Sequence, residues 1–354
     1  MTKKYNINHQ TYTPTELLEQ CAKVVQEEDL PTWKKEAWSF MAEWLDDGDY
    51  VQLKTSGSTG DAKRIDVEKK YMRNSAQMTI RFLKLRPGSV ALLCLSAAYV
   101  AGKMMIVRAF EGGLDLLLRE PSGNPLVGLD EKIHFAAMIP LQVQKSLDEH
   151  GPESVQNMTH LIIGGAAVSE TLSQRVRPLR NAVWATYGMT ETLSHIALRR
   201  LSGTDASAVF TPMDGVALST DERHCLSIDA PHLSPDTIVT NDVVILNDDQ
   251  SFEYIGRYDN VINSGGVKLM PDSIEQKLVP FIADRFMVSS IPDDRLGQKL
   301  VLVIETSHGE DYDWTILQTQ IAKVLTAVER PRELFCIPAF DETRSGKLKR
   351  NTPF

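Results

Sequence analysis

The chain has 354 residues, 42% hydrophobic and 24% charged, a composition that suits a soluble globular protein with two domains and a large core. Its formal net charge of −9 argues against general affinity for nucleic acid, which needs basic surface, but permits a basic pocket around a small anion. The four cysteines, Cys21, Cys94, Cys225 and Cys336, are scattered without a C-x-x-C pair, as expected of reduced thiols in a cytoplasmic protein.

The polar start MTKKYNINHQ predicts no signal peptide. Thr13-Pro14-x-Glu16 is a helix start, with a hydroxyl cap, a first-turn proline and a carboxylate three residues on. A second helix is expected from Pro31 to Asp47, with Trp33, Ala37, Phe40, Met41 and Trp44 on one face and Gly48 as its stop. An extended run, Tyr50 to Lys54, leads into Thr55-Ser56-Gly57-Ser58-Thr59-Gly60-Asp61-Ala62-Lys63. Glycines here let backbone N–H groups converge on an anion, hydroxyls add donors and Lys63 adds a charge. The spacing Gly57-x-x-Gly60-x-x-Lys63 is not the G-x-x-x-x-G-K-[ST] loop, and that pattern's absence disfavours a P-loop kinase.

A helix is expected over Val67 to Leu85, then an apolar strand from Val90 to Leu95 and a loop from Ser96 to Gly102. The apolar run from Val90 to Val100 is too short to span a bilayer. A helix from Lys103 to Phe110 stops at Gly112-Gly113, and strand and helix alternate onward through Val183-Trp184-Ala185. Such alternation predicts a parallel sheet with helical crossovers and ligands at the carboxyl ends of its strands. Gly164-Gly165-Ala166 falls at one such end, and Thr186-Tyr187-Gly188-Met189-Thr190-Glu191-Thr192 at another. Short β runs rich in turn residues from Leu198 to Asp248 predict a small barrel-like subdomain. The last hundred or so residues give strands near 286–291, 299–305 and 334–337 with a helix over 312–328.

Five stretches occur in one order: TSGSTGDAKR, ATYGMTET, Thr240-Asn241-Asp242, Tyr254-Ile255-Gly256-Arg257 through Glu275, and Ser345-Gly346-Lys347-Leu348-Lys349-Arg350. Together they resemble the motifs of the adenylate-forming superfamily of acyl-CoA synthetases, luciferases and peptide-synthetase adenylation domains. YGMTET matches letter for letter. The resemblance covers about Tyr50 to Arg350. It departs at Ala62, where the family carries proline; at Asn241, where it carries glycine; near Asn263, where it often carries lysine; and at the front, where two helices replace a longer segment.

The resemblance implies an α/β fold. A large N-terminal domain, residues 1–258, would hold parallel and mixed sheets flanked by helices, plus the small β subdomain. A small α+β lid, residues 259–354, would be mobile. ATP would be held by Thr55, Ser56, Gly57, Ser58, Thr59, Gly60 and Lys63, by Gly164, Gly165 and Ala166, and by Thr186, Tyr187 and Gly188, with Tyr187 against adenine. Asp242 and Arg257 would reach the ribose or phosphate. Thr190, Glu191 and Lys347 would be catalytic, Glu191 as a hard oxygen ligand for Mg²⁺. Asp259 would be the hinge, and Ser264, Gly265 and Gly266 would line a channel for CoA. Tyr99, Gly102, Lys103, Arg108, Ser194 and His195 would line the acyl pocket. Lys103 and Arg108, five apart, do not share a face of a straight helix, and His195 reads equally as wall or base. Basic residues beside a Met-rich pocket suit an acid with a second anionic group.

The expected reaction joins a carboxylic acid to a thiol at the expense of ATP, through an acyl-adenylate. Two alternatives stay open. One is a different acid or a carrier protein as acceptor; the other is a non-catalytic ATP- or AMP-binding module. No nucleic acid or membrane partner is expected, and a homodimer is left open.

Overall fold

The computed structural model describes residues 3–54, 64–306, 313–341 and 350. The chain divides into two units, residues 1–217 with 229–238 and residues 218–228 with 239–354.

The first unit begins with a hairpin that the sequence reading passed over, β1 (Tyr5–Ile7) and β2 (Gln10–Tyr12). Asn8 and His9 turn it at φ 48° and 64°, the left-handed pair that a two-residue hairpin needs. α1 (Pro14–Val25) starts with the expected reciprocal cap: Glu16 N donates to Thr13 Oγ1 at 3.3 Å and Thr13 N to Glu16 Oε2 at 2.8 Å. α2 (Thr32–Leu45) buries Ala37, Phe40, Met41 and Trp44, as the periodicity predicts.

β3 (Tyr50–Lys54) pairs antiparallel with β4 (Arg64–Glu68). Val67, expected to open a helix, instead faces Val51 across this pair, and both are buried. α3 (Lys69–Phe82) begins only after it. β5 (Val90–Leu93) is followed by α4 (Val100–Gly112), which starts three residues before Lys103 and stops as expected, at Gly113 with φ 61°. Then come β6 (Asp115–Leu118), β7 (Ile133–Met138), α5 (Pro140–Gln156), β8 (Met158–Ile163), α6 (Glu170–Val176), β9 (Ala182–Gly188), β10 (His195–Arg200) and β11 (Thr211–Pro212). They form a nine-stranded sheet, ordered β11-β10-β9-β8-β7-β5-β6-β1-β2. Its middle, from β9 to β6, is parallel, as helical crossovers require. Leu92, Ala136, Met138, Leu161, Ile163 and Val183 are among the buried residues of its core.

In the second unit, β12 (Ala217–Thr220), β13 (Cys225–Asp229), β14 (Ile238–Leu246) and β15 (Phe252–Arg257) form a four-stranded sheet in that order. Strand β10, expected to belong to a small barrel, pairs with β9 in the large sheet instead. β16 (Ile262–Ser264) and β17 (Val267–Leu269) make a hairpin turned by Gly265 and Gly266 at φ 59° and 83°. α7 (Pro271–Leu278), β18 (Phe286–Asp293), β19 (Gly297–Glu305), α8 (Trp314–Ile321) and β20 (Glu333–Ile337) complete a five-stranded sheet with helices, cored by Ile274, Leu278, Leu300, Leu302, Leu317 and Ile321. α8 stops short of the expected Val328 because Arg330 caps it, donating to Ala322 O and Leu325 O at 3.1 and 3.2 Å. Among the described residues no helix is long and apolar enough to cross a membrane.

Candidate active site

The carboxyl ends of β7, β8 and β9 lie side by side, with Met138 opposite Ile163 and Ile163 opposite Ala185. Gly164 continues β8 and donates to Met138 O at 3.1 Å. A Cβ on Gly164 would fall 2.4 Å from Thr186 Oγ1, which donates to Ile163 O at 3.2 Å. Gly165 has φ +82°, a conformation that side chains resist. Ala166 is exposed beside them. The structure thus brings Gly164 against Thr186 at a strand-end edge of the kind that binds ligands in parallel sheets.

Tyr187 is 9% exposed and packs on Phe210 at 5.8 Å between ring centroids. Gly188 pairs with His195, and a Cβ there would sit 2.3 Å from Ser194 O. The intervening turn is held from within by Thr192, fully buried. Its Oγ1 accepts from Met189 N at 3.0 Å and lies 2.7 Å from Ser194 O. Leu193, at φ 62°, donates to Thr190 O at 3.0 Å. Sequence reading singled out Thr190 and Glu191 and missed Thr192, whose role shows only once the turn closes. Glu191 is exposed and makes no ion pair among the described residues.

Behind this turn lies a buried polar knot. Arg108 (2% exposed) donates through Nε to Thr79 Oγ1 at 3.2 Å and through Nη2 to Ser194 Oγ at 2.5 Å, with Met105 Sδ 3.8 Å from Nη1. His195 (6% exposed) meets Thr79 Oγ1 through Nε2 at 3.1 Å and Ser194 Oγ through Nδ1 at 3.3 Å. Thr79 Oγ1 donates its own proton to Ser75 O at 3.2 Å. One proton arrangement satisfies every contact: His195 carries its hydrogen on Nε2 and accepts from Ser194 on Nδ1. Burial, and then the Arg108 charge, hold the imidazole pKa well below its usual 6.5, so it is neutral. That makes His195 a poor base and a good wall. Burial lowers the Arg108 pKa to about 9, so the guanidinium stays charged at neutral pH. No carboxylate pairs with it among the described residues, although buried cations are normally paired. Thr79 went unread because nothing in its spacing marks it, whereas Met105 lies in the stretch expected to make the pocket Met-rich.

Lys103 and Arg108 point apart, as their spacing implies. Lys103 Nζ donates to Gln52 O at 2.6 Å, lies 3.8 Å from Glu43 and sits over the Phe40 ring at 4.7 Å. Tyr99 is 60% exposed. Gly102 is squeezed against the preceding loop, where a Cβ would fall 2.3 Å from Ser96 O.

The second unit gathers Asp242, Arg257 and Asp259. Arg257 donates to Asp242 Oδ1 at 3.2 Å and to Asp259 Oδ2 at 3.0 Å. Asn241, where the family pattern has glycine, donates to both Asp259 oxygens at 3.2 Å and accepts from Arg223 at 3.0 Å. Ser264, Gly265 and Gly266 form the β16–β17 turn. Arg350 forks onto Glu275 at 2.7 and 2.8 Å and reaches Asp272 at 2.8 Å. Thr55, Ser56, Gly57, Ser58, Thr59, Gly60 and Lys63, and also Lys347, lie outside the described residues.

These features define a protein with a glycine-containing edge at the carboxyl ends of a parallel sheet and a buried arginine in the same unit. A family model described as AMP-binding enzyme matches residues 6–221, and the chain belongs to that family. It is 26% identical over 333 residues to the probable 2-succinylbenzoate–CoA ligase of Mycobacterium tuberculosis, covering 88% of this chain and 85% of that one. Among solved structures, an acyl-CoA synthetase (AMP-forming)/AMP-acid ligase II-like protein from Dyadobacter fermentans is 37% identical over 93% of this chain and 95% of that one, with a TM-score of 0.64. The o-succinylbenzoate CoA synthetase of Bacillus subtilis, in complex with the acyl-adenylate OSB-AMP, reaches a TM-score of 0.78 over 99% of this chain and 94% of that one, at 16% identity. That last likeness is one of fold.

Proposed function

We propose that the protein is an ATP-dependent, AMP-forming acid–thiol ligase, and that its acid is o-succinylbenzoate, converted to o-succinylbenzoyl-CoA in menaquinone biosynthesis. Family membership supports the reaction class. The observation that carries the substrate is Arg108, a buried cation held by hydroxyls and a thioether instead of a carboxylate. A guanidinium has five N–H donors, and such a site favours a substrate that brings its own second carboxylate.

In the first step one substrate carboxylate attacks the α-phosphorus of ATP, forming the acyl-adenylate and releasing pyrophosphate. Negative charge builds on the phosphoryl oxygens, and donors already aimed at it supply the main stabilisation. Residues Thr55 to Lys63 and Lys347 are assigned that task. Glu191, exposed and free of ion pairs among the described residues, suits Mg²⁺. That ion prefers one or two carboxylates plus phosphate oxygens and water, and it would neutralise phosphate charge. Gly164, Gly165, Ala166, Thr186, Tyr187 and Gly188 shape the nucleotide edge. Asp242 and Arg257 are assigned to the ribose and phosphate. In the second step the CoA thiol attacks the mixed anhydride, the C–S bond forms and AMP leaves. A lid comprising residues 259–354 would turn about Asp259 between the steps, bringing the Ser264-Gly265-Gly266 turn to the thiol.

The test is pyrophosphate release from ATP with o-succinylbenzoate, with and without CoA, and chromatographic detection of the thioester. Release that depends on the acid, with thioester formed only when CoA is present, is expected. ATP binding without pyrophosphate release for any acid in a panel would establish a non-catalytic nucleotide-binding module instead.

A further inference from the structure

Among the described residues strand β3 pairs with β4 alone, so its outer edge needs other groups to satisfy it. Gln52 faces that edge with both backbone polar groups. Its N–H donates to Glu43 Oε1 at 3.0 Å and its carbonyl accepts from Lys103 Nζ at 2.6 Å. Glu43 and Lys103 approach each other to 3.8 Å, and the lysine ammonium lies over the Phe40 ring. Lys103 is only 12% exposed at its side chain. Three elements therefore meet at one backbone unit: α2 through Phe40 and Glu43, β3 through Gln52, and the first turn of α4 through Lys103. A second tie runs from α2 to the loop before α4, where Ser96 Oγ donates to Glu36 Oε2 at 2.6 Å and accepts from Ala98 N at 3.1 Å. In the sequence, β3 runs directly into Thr55, and α4 carries Arg108 five residues after Lys103.

We propose that Lys103, with Glu43, is a positioning residue: a clamp that makes β3 and α4 one body, so that the strand entering the nucleotide loop and the helix carrying the acid-recognising arginine keep a fixed separation. The clamp draws on the helix before β3, since α2 supplies Phe40, Glu43 and Glu36. Lys103 so employed does not contact the acid. This inference rests on the acid–thiol ligase reading for its kinetic consequence but not for its structural one.

The experiment compares Lys103→Met, Glu43→Ala, the double variant and Lys103→Arg with the wild type in two assays. The first is amide hydrogen exchange over residues 50–54, which needs no activity. Each single variant should speed exchange at Gln52 about tenfold, as loss of a hydrogen-bonded tie does. The double variant should do little more than either alone, and Lys103→Arg should restore much of the protection. The second assay is pyrophosphate release. Both single variants should raise the KM for ATP several-fold while leaving the kcat/KM ratio between o-succinylbenzoate and benzoate unchanged. Unchanged exchange in Lys103→Met would overturn the clamp. So would a Lys103→Met variant that loses only its preference for the dicarboxylate, because Lys103 would then be an acid ligand. A wild type inactive with every acid would remove the ligase reading and leave the exchange result to judge the clamp alone.

Discussion

Replacing Arg108 with methionine separates what the residue does for the substrate from what it does to the fold. A guanidinium whose pKa burial lowers to about 9 has lost on the order of 5 kcal/mol of solvation. Its described partners are Thr79, Ser194 and Met105, none of them charged. In the free protein, Arg108→Met removes that strain, and the hydroxyls keep Ser75 O and His195 as partners. Thermal unfolding should therefore be unchanged or raised, as when buried charges give way to apolar residues of similar volume. The acid tells the opposite story. Truncating one side of a buried, hydrogen-bonded charge pair costs about 2–5 kcal/mol, so the KM for o-succinylbenzoate should rise by a factor between about 30 and about 5,000. For benzoate, which lacks the second carboxylate, KM should move less than about threefold by the same arithmetic. The assay is coupled pyrophosphate release at saturating ATP, beside a melting curve for each protein. A variant that melts lower and loses both acids equally would refute the argument, since Arg108 would then be structural.

Gly188→Ala puts a methyl 2.3 Å from Ser194 O, a backbone atom that cannot swing aside. Pyrophosphate release should fall about 10²-fold, as when a preorganised donor is misplaced, with a lowered melting temperature. His195 is neutral in the fold but takes a proton near pH 6.5 once unfolded. The unfolded state therefore binds the extra proton, and stability should drop by about 1.4 kcal/mol per pH unit below 6.5. That slope, measured by denaturant titration between pH 6.5 and 5, should flatten in His195→Asn. Arg350→Met strands Glu275 and Asp272 without their fork. Chemical denaturation should show a loss of about 2–3 kcal/mol, at the lower edge of values for a broken buried pair because these groups keep some exposure. A variant as stable as the wild type would remove the fork from any account of the second unit.

The parallel core was legible because each strand from Val90 to Ala185 is a short apolar run between helical patterns, and burial on both faces of a sheet demands that. The capping box at Thr13 and the stop at Gly113 were legible for the same reason: each rests on a single local conformation that few residues supply. Three-residue strands such as Tyr5–Ile7 are too short for alternation to register, so the opening hairpin stayed hidden. Val67 was misassigned because a β-branched residue next to a helix start fits either state until Val51 appears across from it. In the site, Gly164 was legible from its place at a strand end, and Thr186 and Gly188 from the resemblance of the ATYGMTET stretch to the family's motif. The Arg108 knot is different. Its members come from α3, α4 and the turn before β10, and only the fold brings Thr79 to within 3.2 Å of Arg108 Nε. Lys103 carries the same lesson in part, since its charge and its divergence from Arg108 were visible and its partners Gln52 and Glu43 were not.

The opening hairpin has a consequence beyond its size. β1 runs parallel to β6, and β2 folds back as the outermost strand. A chain trimmed to begin at Thr13 would bare the backbone of Asp115 to Leu118 along its full length. Unguarded strand borders recruit copies of themselves. Such a trimmed chain should keep its chemistry and lose its solubility, with oligomers that grow with concentration. These few residues at the start therefore act as a selvedge that keeps a large sheet from joining its neighbours.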